Sequence, residues 1–361
     1  MNHENWMKQC LRLARKGIGK VSPNPAVGAI IVAGGKVLAA GFHKRFGEPH
    51  AEVNCLSNFH GDPRKATLYV NLEPCVHSGK TPPCADLVIE SGIRNVVVGI
   101  LDPNPLVSGR GVRKLRKAGV RVTSGACEDE CRMLNRTFFK NMTSGFPYIH
   151  LKVAVSIDGK LRGQQKWVTS WQARREVHHW RARHDAVLVG AGTVIRDDPR
   201  LNVRLVRGRD SHVVIIDGNF RVPSIAKVFS SAPGRRVLLC SSTKAIREDP
   251  EKVNRIRASG AEILPFPAKN GRIALPDICK TLLKNNIGSI LVEGGEDVSG
   301  GFISAGLVDE LSIFAAPVVL GGNVNAFRTR AGAHVRQEDR MVRHISARRT
   351  GTDLLLSYFY N

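Results

Sequence analysis

No run of about eighteen apolar residues occurs in this 361-residue chain, so no segment reads as a membrane-spanning helix. Aromatic side chains make up only 6% of it, which leaves few platforms on which nucleic-acid bases could stack. The dinucleotide fingerprint G-x-G-x-x-G is missing, which argues against a Rossmann domain. There is no low-complexity tract and no repeat of solenoid period. The eight cysteines are irregularly spaced and do not form a disulfide framework. Residues 1–20, MNHENWMKQCLRLARKGIGK, have no apolar core ahead of a small-residue cleavage site. They read as an amphipathic helix with Trp6, Met7, Cys10, Leu11 and Ala14 on one side. A reducing cytoplasm is therefore expected, with the cysteines as free thiols or metal ligands.

What the chain has is length and positive charge. Its length points to two domains. A formal net charge of +23 raises a nucleic-acid partner, but the charge is spread. Residues 1–145 carry 21 Lys and Arg against 11 Asp and Glu, and the remainder 33 against 20. Diffuse charge of this kind suits small phosphorylated substrates.

Both halves alternate strands with helices, the α/β pattern. Residues 27–42 read as two strands around Gly34-Gly35, 49–59 as a helix and 66–74 as a buried strand. A helix over 84–93 closed by Gly92, a strand over 95–103 and a helix–Gly–strand unit over 112–122 follow. A helix over 128–142 ends in the turn TSGFP, where the domain boundary falls. In 150–160, Leu151, Val153, Val155 and Ile157 alternate with Lys152, Ala154, Ser156 and Asp158, so Lys152, Ser156 and Asp158 are expected on one strand face. A helix over 170–183 and strands over 185–194, 212–217, 235–240, 289–295 and 310–322 complete the reading.

The strongest chemical signal is His50-Ala51-Glu52, then Glu73-Pro74-Cys75, then Cys84. One histidine and two cysteines make three zinc ligands and leave a fourth position for water, whose pKa zinc lowers toward about 7. Glu52 is the carboxylate that moves protons without binding the metal, as in the zinc deaminases. His50 and Cys84 each open a predicted helix beside a proline, where the positive helix end favours thiolate and hydroxide. Eight residues, VHSGKTPP, separate the cysteines where two are usual. His77 and Lys80 in this loop are candidate substrate contacts, with a plain solvated loop as the alternative. A closed zinc knuckle would need a fourth ligand and would not explain Glu52. Cys127 and Cys131 have the wrong partners for a site.

At these residues the chain resembles the bifunctional deaminase/reductase family of riboflavin biosynthesis. The matching stretches are PNPAVGAIIV, GEPHAEV, LEPC…GKTPPC, DPNPLVSGRG, GFPYIHLKVAVSIDG, WVTSWQAR, WRARHDAVLVGAGTVIRDDPRLNVR, LVEGG and GLVDEL. The resemblance covers nearly the whole chain. It implies a cytidine-deaminase-like α/β/α domain over 1–145 and a dihydrofolate-reductase-like α/β domain over 146–361. The substrate it implies is a diaminopyrimidinone carrying a phosphoribosylamino group. Its C2 amine would be replaced by oxygen and its ribosyl group then reduced to ribityl with NADPH. The cofactors would be zinc and NADPH, with neither nucleic acid nor membrane as partner, and the chain would form a homo-oligomer.

In the second half, Gly190-Ala191-Gly192-Thr193 and Glu293-Gly294-Gly295-Glu296 each follow an apolar strand. There, backbone N–H groups can approach a pyrophosphate, although a plain strand–turn–helix junction reads the same way. The resemblance implies cofactor contacts at Ala154, Trp167, Thr193, Asp197, Gly294 and Gly295. It implies substrate contacts at Arg181, Leu201, Arg204 and Glu293. Arginine suits a phosphate because its planar fork donates two hydrogen bonds. The strand alternation adds Lys152 near the reacting sugar. Gln165-Lys166-Trp167 stands where the family has Ser-Gln-Trp. This departure leaves open a deaminase with a retired, ligand-binding or structural second half. An RNA-binding deaminase is a further alternative, disfavoured by the charge spread.

Overall fold

The computed structural model describes residues 3–76, 82–105, 107–161, 168–230, 234–321, 324–328 and 342–360. His77, Lys80, Gln165, Lys166 and Trp167 lie outside them. The chain divides into two compact units, Met1–Gly145 and Phe146–Asn361. No helix among the described residues is long and apolar enough to cross a membrane, and all eight cysteines are free.

The first unit runs α1 (His3–Ala14), β1 (Gly28–Ala33), β2 (Lys36–Phe42), α2 (Ala51–Leu56), β3 (Thr67–Leu72), α3 (Cys84–Glu90), β4 (Asn95–Ile100), α4 (Arg110–Lys117), β5 (Arg121–Ser124), α5 (Glu128–Leu134) and α6 (Arg136–Ser144). Its five-stranded sheet has the order β2-β1-β3-β4-β5. The β1–β2 hairpin is antiparallel, β1 runs antiparallel to β3, and β3, β4 and β5 are parallel. Helices cover both faces. Met7, Cys10 and Leu11 of α1 pack with Ile30, Val32, Tyr69 and Cys131. On the other face, Ala51, Cys55, Val88, Val112 and Leu115 pack with Ile31, Leu68, Val70 and Val98. Close helix approach depends on glycine. A Cβ at Gly41 would meet the Cys55 backbone N at 2.4 Å, and one at Gly99 the Cys131 Sγ at 2.4 Å.

The segment expected as one helix over 128–142 is two helices broken at Asn135. Asn135 is buried, accepts from the Ala26 N–H at 2.8 Å and donates to the Ala26 carbonyl at 3.0 Å. These side-chain bonds tie the break to the segment before β1, while the Asn135 N–H still donates to the Cys131 carbonyl at 3.2 Å. Buried Asn71 does the same from β3, accepting from the Gly28 N–H at 2.7 Å and donating to the Ala26 carbonyl at 3.1 Å.

The second unit runs β6 (Tyr148–Ser156), α7 (Trp171–Arg183), β7 (Ala186–Gly190), α8 (Ala191–Asp197), β8 (His212–Ile216), β9 (Val237–Ser242), α9 (Thr243–Glu248), α10 (Pro250–Ala258), β10 (Glu262–Phe266), the short pair β11 (Ala268–Lys269) and β12 (Arg272–Ile273), α11 (Leu275–Lys284), β13 (Ser289–Val292), α12 (Glu296–Ser304), β14 (Glu310–Ala316), β15 (Val342–Thr350) and β16 (Asp353–Tyr360). Nine strands form one sheet in the order β10-β9-β8-β7-β13-β6-β14-β16-β15. The first seven are parallel and β16 and β15 close it antiparallel. Parallel strands buried on both faces read as continuous apolar runs, as in the wholly buried β7 and β13. The expected strand 185–194 stops at Gly190, where α8 begins. The β6 alternation holds only as far as Ser156. Asp158 does not share the Lys152 face. It lies in the turn beyond, where its carboxylate accepts the Leu320 and Gly321 N–H groups at 3.1 and 2.8 Å.

Candidate functional site

In the first unit, His50 is the N-cap residue of α2 and Cys84 the first residue of α3, while Cys75 follows β3. The fold brings the three together. His50 Nδ1 lies 3.3 Å from Cys84 Sγ and 3.7 Å from Cys75 Sγ, and the Cys84 N–H donates to Cys75 Sγ at 3.4 Å. All three ligand atoms sit within 4.8 Å of one another. A nitrogen and two sulfurs at this separation can share one zinc ion. The hydrogen bond from Cys84 holds the Cys75 thiol down at about 4, ready as thiolate, and the same contact pushes Cys84 up. Two residues into α2, Glu52 is 4% exposed. Burial first, and the Cys75 charge second, raise its carboxyl to about 7. A carboxyl there can take up and release a proton near neutral pH.

Residue types alone did not reveal the support of this triad. His43 is buried, stands edge-on to His50 with ring centroids 5.4 Å apart, and has Nδ1 3.1 Å from the Pro49 carbonyl. Its Nε2 lies 3.3 Å from the Asn24 amide nitrogen. Burial lowers its pKa and favours the neutral ring. Glu73, beside the Pro-Cys pair, is buried. Its carboxylate accepts the N–H groups of Asp102, Gly109 and Val112 at 3.2, 2.8 and 2.9 Å. It thereby ties the chain before Cys75 to the start of α4. A Cβ at Gly111 would meet the Pro74 carbonyl oxygen at 2.2 Å, so this approach requires glycine. Cys131 is core packing, and Cys127 lies at the start of α5, apart from the triad.

In the second unit, the Arg181 guanidinium on α7 grips the Glu293 carboxylate after β13 with two bonds, 2.6 and 3.0 Å. The side chains are 11% and 10% exposed. Burial alone would raise Glu293, but Arg181 overrides it and holds the carboxyl at about 2. Lys152, half-buried on β6, is electrostatically coupled to Glu293 and Arg181, and burial lowers its pKa. Ala154 packs on the α7 side of β6. Arg181 also donates to the Asn202 carbonyl at 3.2 Å, and the Asn202 side chain accepts from the Arg204 guanidinium at 3.1 Å. Asn202, missed in the sequence, thus joins the two arginines. The Leu201 side chain is packed in the core, so only its backbone can meet a ligand. Its left-handed φ of 52° is unusual for a bulky residue. Arg235 holds this bend through the Arg200 and Leu201 carbonyls at 2.6 and 3.1 Å.

The two glycine turns converge. β7 and β13 are neighbouring parallel strands, so Gly190 and Gly294 leave the same sheet edge, where α/β ligands bind. A Cβ at Gly190 or Gly294 would meet Val298 of α12 at 2.7 or 2.5 Å. A Cβ at Gly192 or Gly295 meets nothing within 4 Å, so those two positions border open space. Thr193 is half-buried in α8, and Asp197 ends α8 exposed, paired with Arg196 at 2.9 Å.

The cluster in the first unit fits a zinc-type base deaminase, and the second unit is an α/β domain whose glycine turns open at the ligand-binding edge of its sheet. Residues 1–100 match the cytidine and deoxycytidylate deaminase zinc-binding region, and residues 147–356 match the RibD C-terminal domain. The chain is 40% identical over 359 residues to the riboflavin biosynthesis protein RibD of Aquifex aeolicus, covering 98% of each chain. It is 37% identical over 372 residues to that of Escherichia coli K12, covering 99% of each. The solved RibD structure of Acinetobacter baumannii superposes with a TM-score of 0.86 at 35% identity, covering 100% of this chain and 99% of that one. A diaminohydroxyphosphoribosylaminopyrimidine deaminase/5-amino-6-(5-phosphoribosylamino)uracil reductase from Thermotoga maritima gives 0.85 at 34%, covering 99% of each. The chain belongs to the RibD family. It is a bifunctional enzyme of riboflavin biosynthesis, with a zinc deaminase domain and a reductase domain. Zinc and NADPH are the cofactors of such an enzyme.

Proposed function

We propose that the first unit, 1–145, deaminates the diaminopyrimidinone bearing a phosphoribosylamino group, and that the second, 146–361, reduces the ribosyl group of the product. The observation that carries the reading is the His50–Cys75–Cys84 cluster with buried Glu52 beside it. His50, Cys75 and Cys84 hold zinc, which when bound supplies the Lewis acidity that makes water nucleophilic at neutral pH. Glu52 takes the proton from the attacking water and delivers it to the departing amine, and its raised pKa suits both roles.

In the second unit, bound NADPH supplies the hydride. Ala154, Thr193, Asp197, Gly294 and Gly295 are the cofactor contacts, together with Trp167. The open space at Gly192 and Gly295 supports a phosphate path there. Lys152 stands near the reacting sugar, where a proton must follow the hydride. Its lowered pKa makes it a readier donor. Arg181, Arg204, Glu293 and the Leu201 backbone bind the substrate, the arginines toward its phosphate and Glu293 toward its sugar hydroxyls.

Free thiols suit a reducing cytoplasm, and the reading extends to a homo-oligomer. Sedimentation at micromolar concentration tests that point, and a monomer overturns it. The test of the activities is one assay with the phosphoribosylamino substrate, with and without NADPH, following ammonia and NADPH separately. Ammonia in both tubes, with NADPH consumed where present, is expected. Ammonia without NADPH consumption overturns the reductase assignment. No ammonia from zinc-loaded protein overturns the substrate.

A further inference from the structure

Arg174, His178 and Arg181 stand at i, i+4 and i+7 along α7, one stripe of that helix. His178 is 3% exposed, and none of the roles assigned above uses it. Its Nδ1 accepts the backbone N–H of Arg204 at 3.1 Å. The bond reaches from the helix to the loop that carries the Arg204 guanidinium. One helical turn on, Arg181 grips the same loop at the Asn202 carbonyl. Two side chains of α7 therefore hold the loop at points separated by one residue. A ring nitrogen accepts only when it bears no proton, so this contact requires the neutral imidazole with its proton on Nε2.

We propose that His178 is a positioning residue of the reductase site: its neutral ring, acting through Nδ1, fixes the Arg204 backbone so that the guanidinium stands ready for the substrate phosphate. The proposal rests on the reading of Arg204 as a substrate contact. The charged groups that face the ring are Arg181 and Arg174 on its own helix, Arg204 on the loop and Glu293 after β13. Burial and the three guanidiniums outweigh the one carboxylate and hold the ring's pKa at about 4, below its ordinary 6.5. A folded-state pKa below the unfolded one means that the neutral ring's contribution to stability is complete above about pH 6.5 and falls away as the pH drops toward about 4. In the folded protein the contact itself persists until the pH nears that lower value. A histidine here keeps the Arg204 contact at neutral pH without adding a fourth cation to the phosphate site.

The test compares His178→Leu, which removes the acceptor, with His178→Asn, whose Oδ1 can replace Nδ1. His178→Leu is expected to raise KM for the reductase substrate about tenfold, with kcat and the KM for NADPH within about twofold. His178→Asn should restore most of the loss. Arg204→Ala, measured in parallel, separates the two readings. If it leaves KM unchanged, the substrate role of Arg204 fails. If it raises KM while His178→Leu does not, the His178 proposal alone fails. NADPH affinity reports whether each variant has folded. A wild-type measurement covers the case in which His178→Leu does not fold. The imidazole nitrogen shifts of His178 at about pH 5.5, where a free histidine is mostly protonated, should show a neutral ring carrying its proton on Nε2. A protonated ring, or the other tautomer, overturns the proposal.

Discussion

The two units build their sites from different materials. In the first, the proposed ligands are one histidine and two cysteines, and Cys84 lies 34 positions after His50 in the chain. Two short helices start at His50 and Cys84, so the positions of these two follow from where their helices begin, and Cys75 follows the end of β3. In the second, the proposed substrate-site residues are Lys152, Arg181, Arg204 and Glu293, types that cover every protein surface. Arg181 and Glu293 are 112 residues apart in sequence and meet only because β6, β7 and β13 are neighbours. The first site depends on an ion for its function. The second holds itself together by an ion pair. Losing Glu52 from the first should therefore stop catalysis while sparing the fold, and breaking the Arg181–Glu293 pair of the second should cost fold and function together.

The largest effect that would sharpen this contrast is on Glu52→Gln. It should keep one zinc per chain by metal analysis and lose ammonia release by about 10²–10⁴-fold. Reduction of the deaminated intermediate should stay normal, and normal ammonia release would break the assigned role. Next is Arg181→Leu, which leaves Glu293 buried without its partner. A loss of about 3–5 kcal/mol in the second unit, read by denaturant unfolding, is expected. An unchanged midpoint would mean the pair is not structural. Smaller still is Asn135→Ala in the first unit. Losing its bonds to Ala26 should cost about 1–3 kcal/mol, with zinc content unchanged. Zinc loss in that variant would show that the first site too depends on distant packing. The finest test pairs two glycines. Gly294→Ala collides with Val298 and should lower the unfolding midpoint, whereas Gly295→Ala fills open space. Gly295→Ala should therefore leave stability alone and weaken NADPH binding about tenfold, by titration. An unchanged affinity would put the cofactor elsewhere.

Much was legible before any coordinates. The α/β layering and the helix starts at His50 and Cys84 followed from apolar periodicity and from glycine and proline punctuation. The errors came where long-range bonds fix the chain. Asn135, at the break between α5 and α6, holds Ala26, and Asp158 leaves the strand face to hold Leu320 and Gly321. Glu73 stands next to a proposed metal ligand, and its bonds to three backbone N–H groups carried no signal in the sequence. His178 and Asn202 carried no signal, because a histidine or asparagine becomes part of a site only through what packs beside it.

By itself, then, the sequence determined the metal chemistry and the layering. Zinc ligands are identified by residue type, and strands and helices by short-range periodicity, both of which survive in a linear string. The tertiary structure decided which cations face which carboxylate, which histidine stays neutral, and which glycines border open space. Those properties depend on burial and on distances between residues far apart in the chain, and both arise only when the sheet assembles.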